Sequence, residues 1–234
     1  MRHDLWFAGY LDMDRVLRST GKTYIARLHY NFFVDRTFNA AQLSLLHLSA
    51  KVTKIGDSTF ETVSSLQSGV KNEVLIDNTV NWVYVKDGHR TPLPSWFKDR
   101  FGVDVPPQPS RPRRWERQLG VTDRSKLAEK CFPILPEHID HFGHTNHTCY
   151  LSFIVKTLMS NSCELATDGD SVTLSSLEIQ YRGESNVGDR LSVLAERDPG
   201  GSAILASITK DDSKVVVSCQ FDLHPLPSEF NSSL

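Results

Sequence analysis

With 234 residues, the chain is long enough for one large domain or for two small ones, each burying a core of its own. Its 26 Lys and Arg against 28 Asp and Glu leave a formal charge of −2, so no overall field favours nucleic acid or an anionic membrane, and partners have to be argued from local features. No apolar run approaches the ~20 residues of a bilayer-spanning helix; the four cysteines, Cys131, Cys149, Cys163 and Cys219, contain no Cys-x-x-Cys pair and follow no secretory leader, which points to free thiols in a reducing cytoplasm.

From Asp4 to Ser19 the apolar residues Leu5, Trp6, Tyr10, Leu11, Met13 and Val16 recur mostly at three- and four-residue spacings, which predicts a helix with one apolar face, stopped at Gly21. Segments rich in β-branched and aromatic residues follow at Tyr24–Val34, Leu43–Ile55, Ser58–Leu66 and Glu73–Val85. They predict antiparallel strands, with Gly56-Asp57 and Lys86-Asp87-Gly88 as turns. Between Asp104 and Lys126 stand Pro106, Pro107, Pro109 and Pro112 with Arg111, Arg113, Arg114 and Arg117. Proline removes backbone donors, so this stretch predicts a semi-extended connector. Its arginines are either a solvated face or a grip on the phosphates of a CoA carrier or the acidic face of a carrier protein.

The second half repeats the order of the first. A turn-rich stretch at His138–Thr145 leads into a helix at Asn146–Met159, and strands follow near Val172–Tyr181, Leu191–Glu196, Ser202–Lys210 and Lys214–Leu223. Short matches keep the same order in both halves: Gln42-Leu-Ser-Leu-Leu with Arg190-Leu-Ser-Val-Leu, Gly56-Asp-Ser with Gly200-Gly-Ser, and Thr91-Pro-Leu-Pro with His224-Pro-Leu-Pro. This ordering reads as an internal duplication, with modules at 1–103 and 128–234 and a linker at 104–127.

The segment richest in chemistry is Pro136-Glu-His-Ile-Asp-His-Phe-Gly-His-Thr-Asn-His-Thr-Cys-Tyr150. A carboxylate at Asp140 can attack a carbonyl or draw a proton from water. Gly143 lets backbone approach a ligand, and the helix that follows offers unpaired first-turn amides to a developing oxyanion. Within this segment, Asp140-x-x-Gly143-His144-x-Asn146-His147-x-x-Tyr150 resembles the Asp-x-x-Gly-His-x-Asn-Asn-x-x-Tyr signature of hotdog-fold thioesterases, including 4-hydroxybenzoyl-CoA thioesterase-like and acyl-carrier-protein thioesterase members. His147 stands where the second Asn is usual. The stretches Val52–Phe60 and Val83–Pro94 are similar to later strands and the closing turn of the same family.

The resemblance implies an α+β double hotdog, two antiparallel sheets each wrapped around a long central helix, hydrolysing acyl-CoA or acyl-carrier-protein thioesters without metal or organic cofactor. It implies Asp140 as base or nucleophile and the His147 amide as oxyanion donor, with the imidazole of His147 or His144 orienting water or protonating the leaving thiolate. Gly143, His144, Asn146 and Tyr150 are expected around the substrate, and Ser58, Thr59 and Phe60 of the first half along the acyl chain. Such a pseudo-dimer is expected to be monomeric or to pair again.

Plainer readings stand beside these. Asp140 serves turns and helix starts as readily as catalysis, Asn146 suits a helix cap, and Tyr150 and Cys149 suit a core. His138, His141, His144 and His147 with Glu137 and Asp140 have zinc-like spacing, but a turn entering a helix scatters their rings, so no metal is expected. In the first half, His3-Asp4 stand where the second has Asn146-His147, Phe7 stands at Tyr150, and nothing upstream matches Asp140. Either that half has lost its catalytic role or the chain as given starts late. Two rival functions remain open on these residues: a non-catalytic acyl-thioester or lipid carrier, and a hydratase or dehydratase.

Overall fold

The computed structural model describes residues 17, 20–33, 46–69, 73–101, 128–140, 143–160, 172–198, 200–211 and 214–225. The chain divides into two compact units, Met1–Arg111 and Pro112–Leu234. The expected 104–127 linker and all but the end of the expected first helix lie outside the described residues. Among these residues no helix is long and apolar enough to cross a membrane.

The first unit contains β1 (Lys22–Phe32), β2 (Leu46–Ile55), β3 (Thr59–Ser68), β4 (Val74–Lys86), the short β5 (His89–Arg90) and helix α1 (Ser95–Phe101). Its strands run antiparallel in the order β2-β3-β4-β1, with β5 folded back on β4. The β4–β5 hairpin turns on Asp87 and Gly88, whose φ values of 51° and 77° are the pair of positive angles a two-residue hairpin loop demands. Side chains of one β3–β4 face, residues beyond the hairpin and Leu17 from ahead of β1 meet in a core of Leu17, Phe60, Tyr84, Leu93 and Phe97. Phe60, expected along an acyl chain, lies in this core and stacks on Trp82 at 5.9 Å between ring centroids.

Helix α1 has no counterpart among the elements expected from sequence, which assign nothing between the Thr91-Pro-Leu-Pro turn and the module end at 103. At seven residues it is too short to display a period, and it is held instead by Phe97, which is fully buried against Phe60 and Phe101. Leu17 and Thr20 are helical, and Gly21 N–H closes that helix on Leu17 O at 2.9 Å, as the stop signal predicts. A Cβ on Gly21 would lie 2.7 Å from the buried Tyr84 ring, whose hydroxyl donates to Thr20 Oγ1. Close approach is therefore what glycine permits there.

The second unit contains β6 (Ala128–Pro133), a 3-10 turn (Pro136–His138), α2 (His147–Ser160), β7 (Val172–Tyr181), β8 (Arg190–Arg197), β9 (Ala203–Lys210) and β10 (Lys214–Pro225). The antiparallel strands are ordered β7-β10-β9-β8-β6. Taken as β8-β9-β10-β7, this repeats the β2-β3-β4-β1 order of the first unit, with β6 added at one edge.

Helix α2 buries Tyr150, Phe153, Ile154 and Thr157, spaced 0, 3, 4 and 7 along the chain, which is one continuous face of an α-helix. It packs on β6, β8 and β9, where Leu191, Val193, Ala195, Ala206 and Ile208 are buried. Thr157 is tolerated in this core because its hydroxyl donates to Phe153 O one turn back, at 2.9 Å.

Candidate active site

Ile139 and Thr145 form an isolated antiparallel bridge, and the chain between them reverses at Asp140. Asp140 N–H donates to His144 O at 2.8 Å and Gly143 N–H to Asp140 O at 3.0 Å. Gly143 has φ +82°, and a Cβ there would meet nothing within 4 Å. That angle lies in the left-handed region, which glycine adopts without strain, and the reversal depends on it. The half-buried Asp140 also accepts weakly from His144 N–H, at 3.4 Å to Oδ1.

The chain leaves this reversal straight into α2. Asn146 is the N-cap: its Oδ1 accepts from Thr148 N–H at 3.0 Å and from Thr148 Oγ1 at 2.9 Å, while its own N–H donates to His138 O at 2.8 Å. Replacing it by Ala should lower unfolding free energy by about 1 kcal/mol in urea titration, whereas Asn146→Ser, which keeps a capping oxygen, should lose only a fraction of that. Equal losses in the two variants would remove the cap from the account.

His147 opens the helix. No acceptor holds its backbone N–H among the described residues, the normal condition of a first-turn amide. Tyr181 OH donates to His147 O at 3.3 Å, and the two rings meet edge to face at 6.3 Å. Desolvation draws the His147 imidazole below its usual pKa, and the nearby Asp140 charge acts in the opposite direction. The sign follows from linkage. With its folded pKa lowered, His147 takes up a proton first in the unfolded chain, so its stabilising effect is complete above the unfolded value of about 6.5 and shrinks as pH falls below it. The thermal midpoint should therefore drop between pH 7.5 and 5.5, and His147→Gln should flatten part of that drop.

His144 turns the other way. Its Nδ1 lies 2.9 Å from Glu184 Oε2, which fixes the ring so that Nε2 is presented on the opposite side. Glu184 is absent from the sequence reading, since it follows β7, 40 residues beyond, and nothing local ties it to the motif. The same is true of Ser185. It is fully buried and bonds both Tyr150 and Thr145, with Tyr150 OH 2.8 Å from Ser185 Oγ. Tyr150, expected near substrate, is itself buried, and desolvation raises its phenol pKa. Cys149 is partly buried beside His138 O, and desolvation raises its thiol pKa, which leaves it a poor nucleophile.

Asp140, Gly143, His144, Asn146, His147 and Tyr150 are thus brought together in the second unit. Ser58 and Thr59 belong to the first unit, where buried Ser58 Oγ accepts from Arg90 Nε and Thr59 opens β3. Among the described residues no three His, Cys, Asp or Glu side chains are grouped to hold a metal; His141 lies outside them. Cys131, Cys149 and Cys219 are free thiols, and Cys163 lies outside the described residues.

No protein-family model matches the chain, and no curated relative matches it. Solved structures do. A Lactobacillus plantarum protein assigned as an oleoyl thioesterase superposes with TM-score 0.71 at 14% identity, over 96% of this chain and 88% of its own. The 12:0-ACP thioesterase of Umbellularia californica gives 0.69 at 14%, over 87% and 75%. A MaoC-like dehydratase of Phytophthora capsici gives 0.50 at 12%, over 86% and 72%. At such identities the likeness is one of backbone: the chain has the hotdog fold that these thioesterases carry.

Proposed function

We propose that the protein hydrolyses acyl thioesters of CoA or acyl carrier protein, with Asp140 as the reacting carboxylate. The observation that carries this is the half-buried Asp140 on a reversal that runs directly into the open His147 amide of α2, within a fold shared with thioesterases. Asp140 draws a proton from water as the water oxygen adds to the thioester carbon, or adds to that carbon itself and forms an anhydride that water then opens. In either route the carbonyl oxygen gains negative charge facing the His147 N–H, an interaction typically worth ~3 kcal/mol of barrier. Collapse breaks the C–S bond and releases the thiolate, which in the first route takes the proton that Asp140 drew from water and in the second takes one from solvent.

His144, oriented by Glu184, and His147 are the two imidazoles within the motif able to hold water, and either could pass a proton to sulfur only as it takes one from that water. Ser58 and Thr59 enter the proposal only as acyl-contact candidates. Two hotdog modules in one chain are supported by the repeated strand order of the two units.

The test is a thiol-release assay with acyl-CoA and acyl-carrier-protein substrates of graded chain length. Release above the uncatalysed rate on one of these carriers is expected. The likeness to a dehydratase supports a second reading, hydration of an enoyl-CoA. Loss of enoyl absorbance with no thiol released would establish that reading, and tight acyl-CoA binding with neither reaction would make the protein a carrier.

A further inference from the structure

We propose that Tyr150, Ser185 and Thr145 form one positioning unit for the reaction at Asp140, a closed chain of three buried hydroxyls that fixes the Asp140 reversal against α2. The proposal rests on the hydrolase reading above. The three residues come from three segments: the helix, the connection between β7 and β8, and the bridge closing the reversal. Only 3%, 0% and 7% of their surfaces are exposed.

Every proton in the chain has one place to go. Thr145 Oγ1 donates to Ser185 O at 2.7 Å, and Ser185 Oγ donates to Thr145 Oγ1 at 2.9 Å. Tyr150 OH, 2.8 Å from Ser185 Oγ, is then the donor in that contact. Thr145 N–H adds a second bond to Ser185 O at 3.3 Å. The chain ends on a backbone carbonyl and needs no water to complete it.

The far end of the same connection is also anchored. Asp189 Oδ2 accepts from Asn186 N–H and from Lys210 Nζ, each at 2.7 Å, and Gly188 and Asp189 exchange backbone bonds with Ile134. Ser185 is therefore presented from a braced segment. Thr145 pairs with Ile139, whose neighbour is Asp140, and Asp140 N–H bonds the residue before Thr145. Any shift of Thr145 is thereby transmitted to the carboxylate.

Burial alone does not require hydroxyls here. Phe, Ala and Val would fill the same space, and exchanging both partners of a buried hydrogen bond for apolar groups is often nearly neutral for stability. Hydrogen bonds add direction, which apolar packing lacks, and a misplacement of 1 Å at a reacting group costs up to about 10²-fold in rate.

The experiment compares Tyr150→Phe, Ser185→Ala, Thr145→Val and Thr145→Ser, plus the Tyr150→Phe/Ser185→Ala pair, with wild type in the thiol-release assay. Thermal midpoints are measured alongside. Tyr150→Phe, Ser185→Ala and Thr145→Val are each expected to lower kcat by about tenfold or more with KM little changed, and Thr145→Ser to restore it. The pair should lose no more than its worse single member, because the chain acts as a unit.

A wild-type protein that releases thiol while Tyr150→Phe and Thr145→Val keep their kcat overturns the positioning unit and leaves the hydrolase reading standing. So do losses that simply follow the thermal midpoint, or that are the same for Thr145→Val and Thr145→Ser. If Tyr150→Phe does not fold, the Thr145 pair decides. A wild-type protein with no thiol release on any carrier overturns the hydrolase reading, and the positioning unit falls with it.

Discussion

Asp140→Asn should reduce kcat for thiol release by about 10³-fold, within the range general-base removal typically produces, while the fold survives. The substitution is nearly isosteric. The carboxamide oxygen can still accept from His144 N–H, and the backbone bonds of the reversal, Asp140 N–H to His144 O and Gly143 N–H to Asp140 O, do not involve the side chain. What disappears is the negative charge and the basic oxygen, so activity and stability should separate: kcat collapses and the thermal midpoint moves by a few degrees at most.

A second readout is independent of turnover. The Asp140 charge now raises the His147 pKa against desolvation, so the neutral carboxamide should let that pKa fall further, visible in an NMR titration of the imidazole. A variant with full activity refutes the catalytic assignment. An unmoved His147 titration would mean that the Asp140 charge does not reach the imidazole.

Local signals carried much of this fold. The alternation of β-branched and aromatic residues brought β7 out with both ends in place, and the helix expected at Asn146–Met159 is α2, shifted by one residue because Asn146 is its cap. The Asp87-Gly88 turn was legible because only such residues accept two positive φ angles in succession. The turn-rich stretch expected at His138–Thr145 contains the reversal at Asp140, although the positive φ of Gly143 formed no part of that expectation.

What escaped is information carried by distant residues. Tyr181 at the end of β7, with Glu184 and Ser185 just beyond it, completes the site, and only the order β7-β10-β9-β8-β6 explains why that connection returns to the motif. Helix α1 escaped for a related reason, since Phe97 is helical there by virtue of the cavity it fills between Phe60 and Phe101. The order of strands within each unit could not be read from periodicity, which assigns faces and not neighbours.

The largest stability effect in the second unit should come from Phe153→Ala, with a loss of about 3–5 kcal/mol in unfolding free energy. Phe153 is 2% exposed on the buried face of α2. Its ring stacks on Phe132 of β6 at 4.7 Å and meets His138 of the 3-10 turn edge to face at 5.1 Å. One side chain thus joins α2 to both segments that precede Asp140. Truncation leaves a cavity in a close-packed core, and that cavity carries much of the cost.

Unlike Asp140→Asn, this variant should lose stability and activity together, and cooling should recover part of both by repopulating the folded unit. Phe153→Leu, which retains much of the volume, should fall between the two. If denaturant titration finds Phe153→Ala within 1 kcal/mol of wild type, α2 is not seated on β6 through this ring, and the approach of the helix tip to the carboxylate loses its mechanical basis.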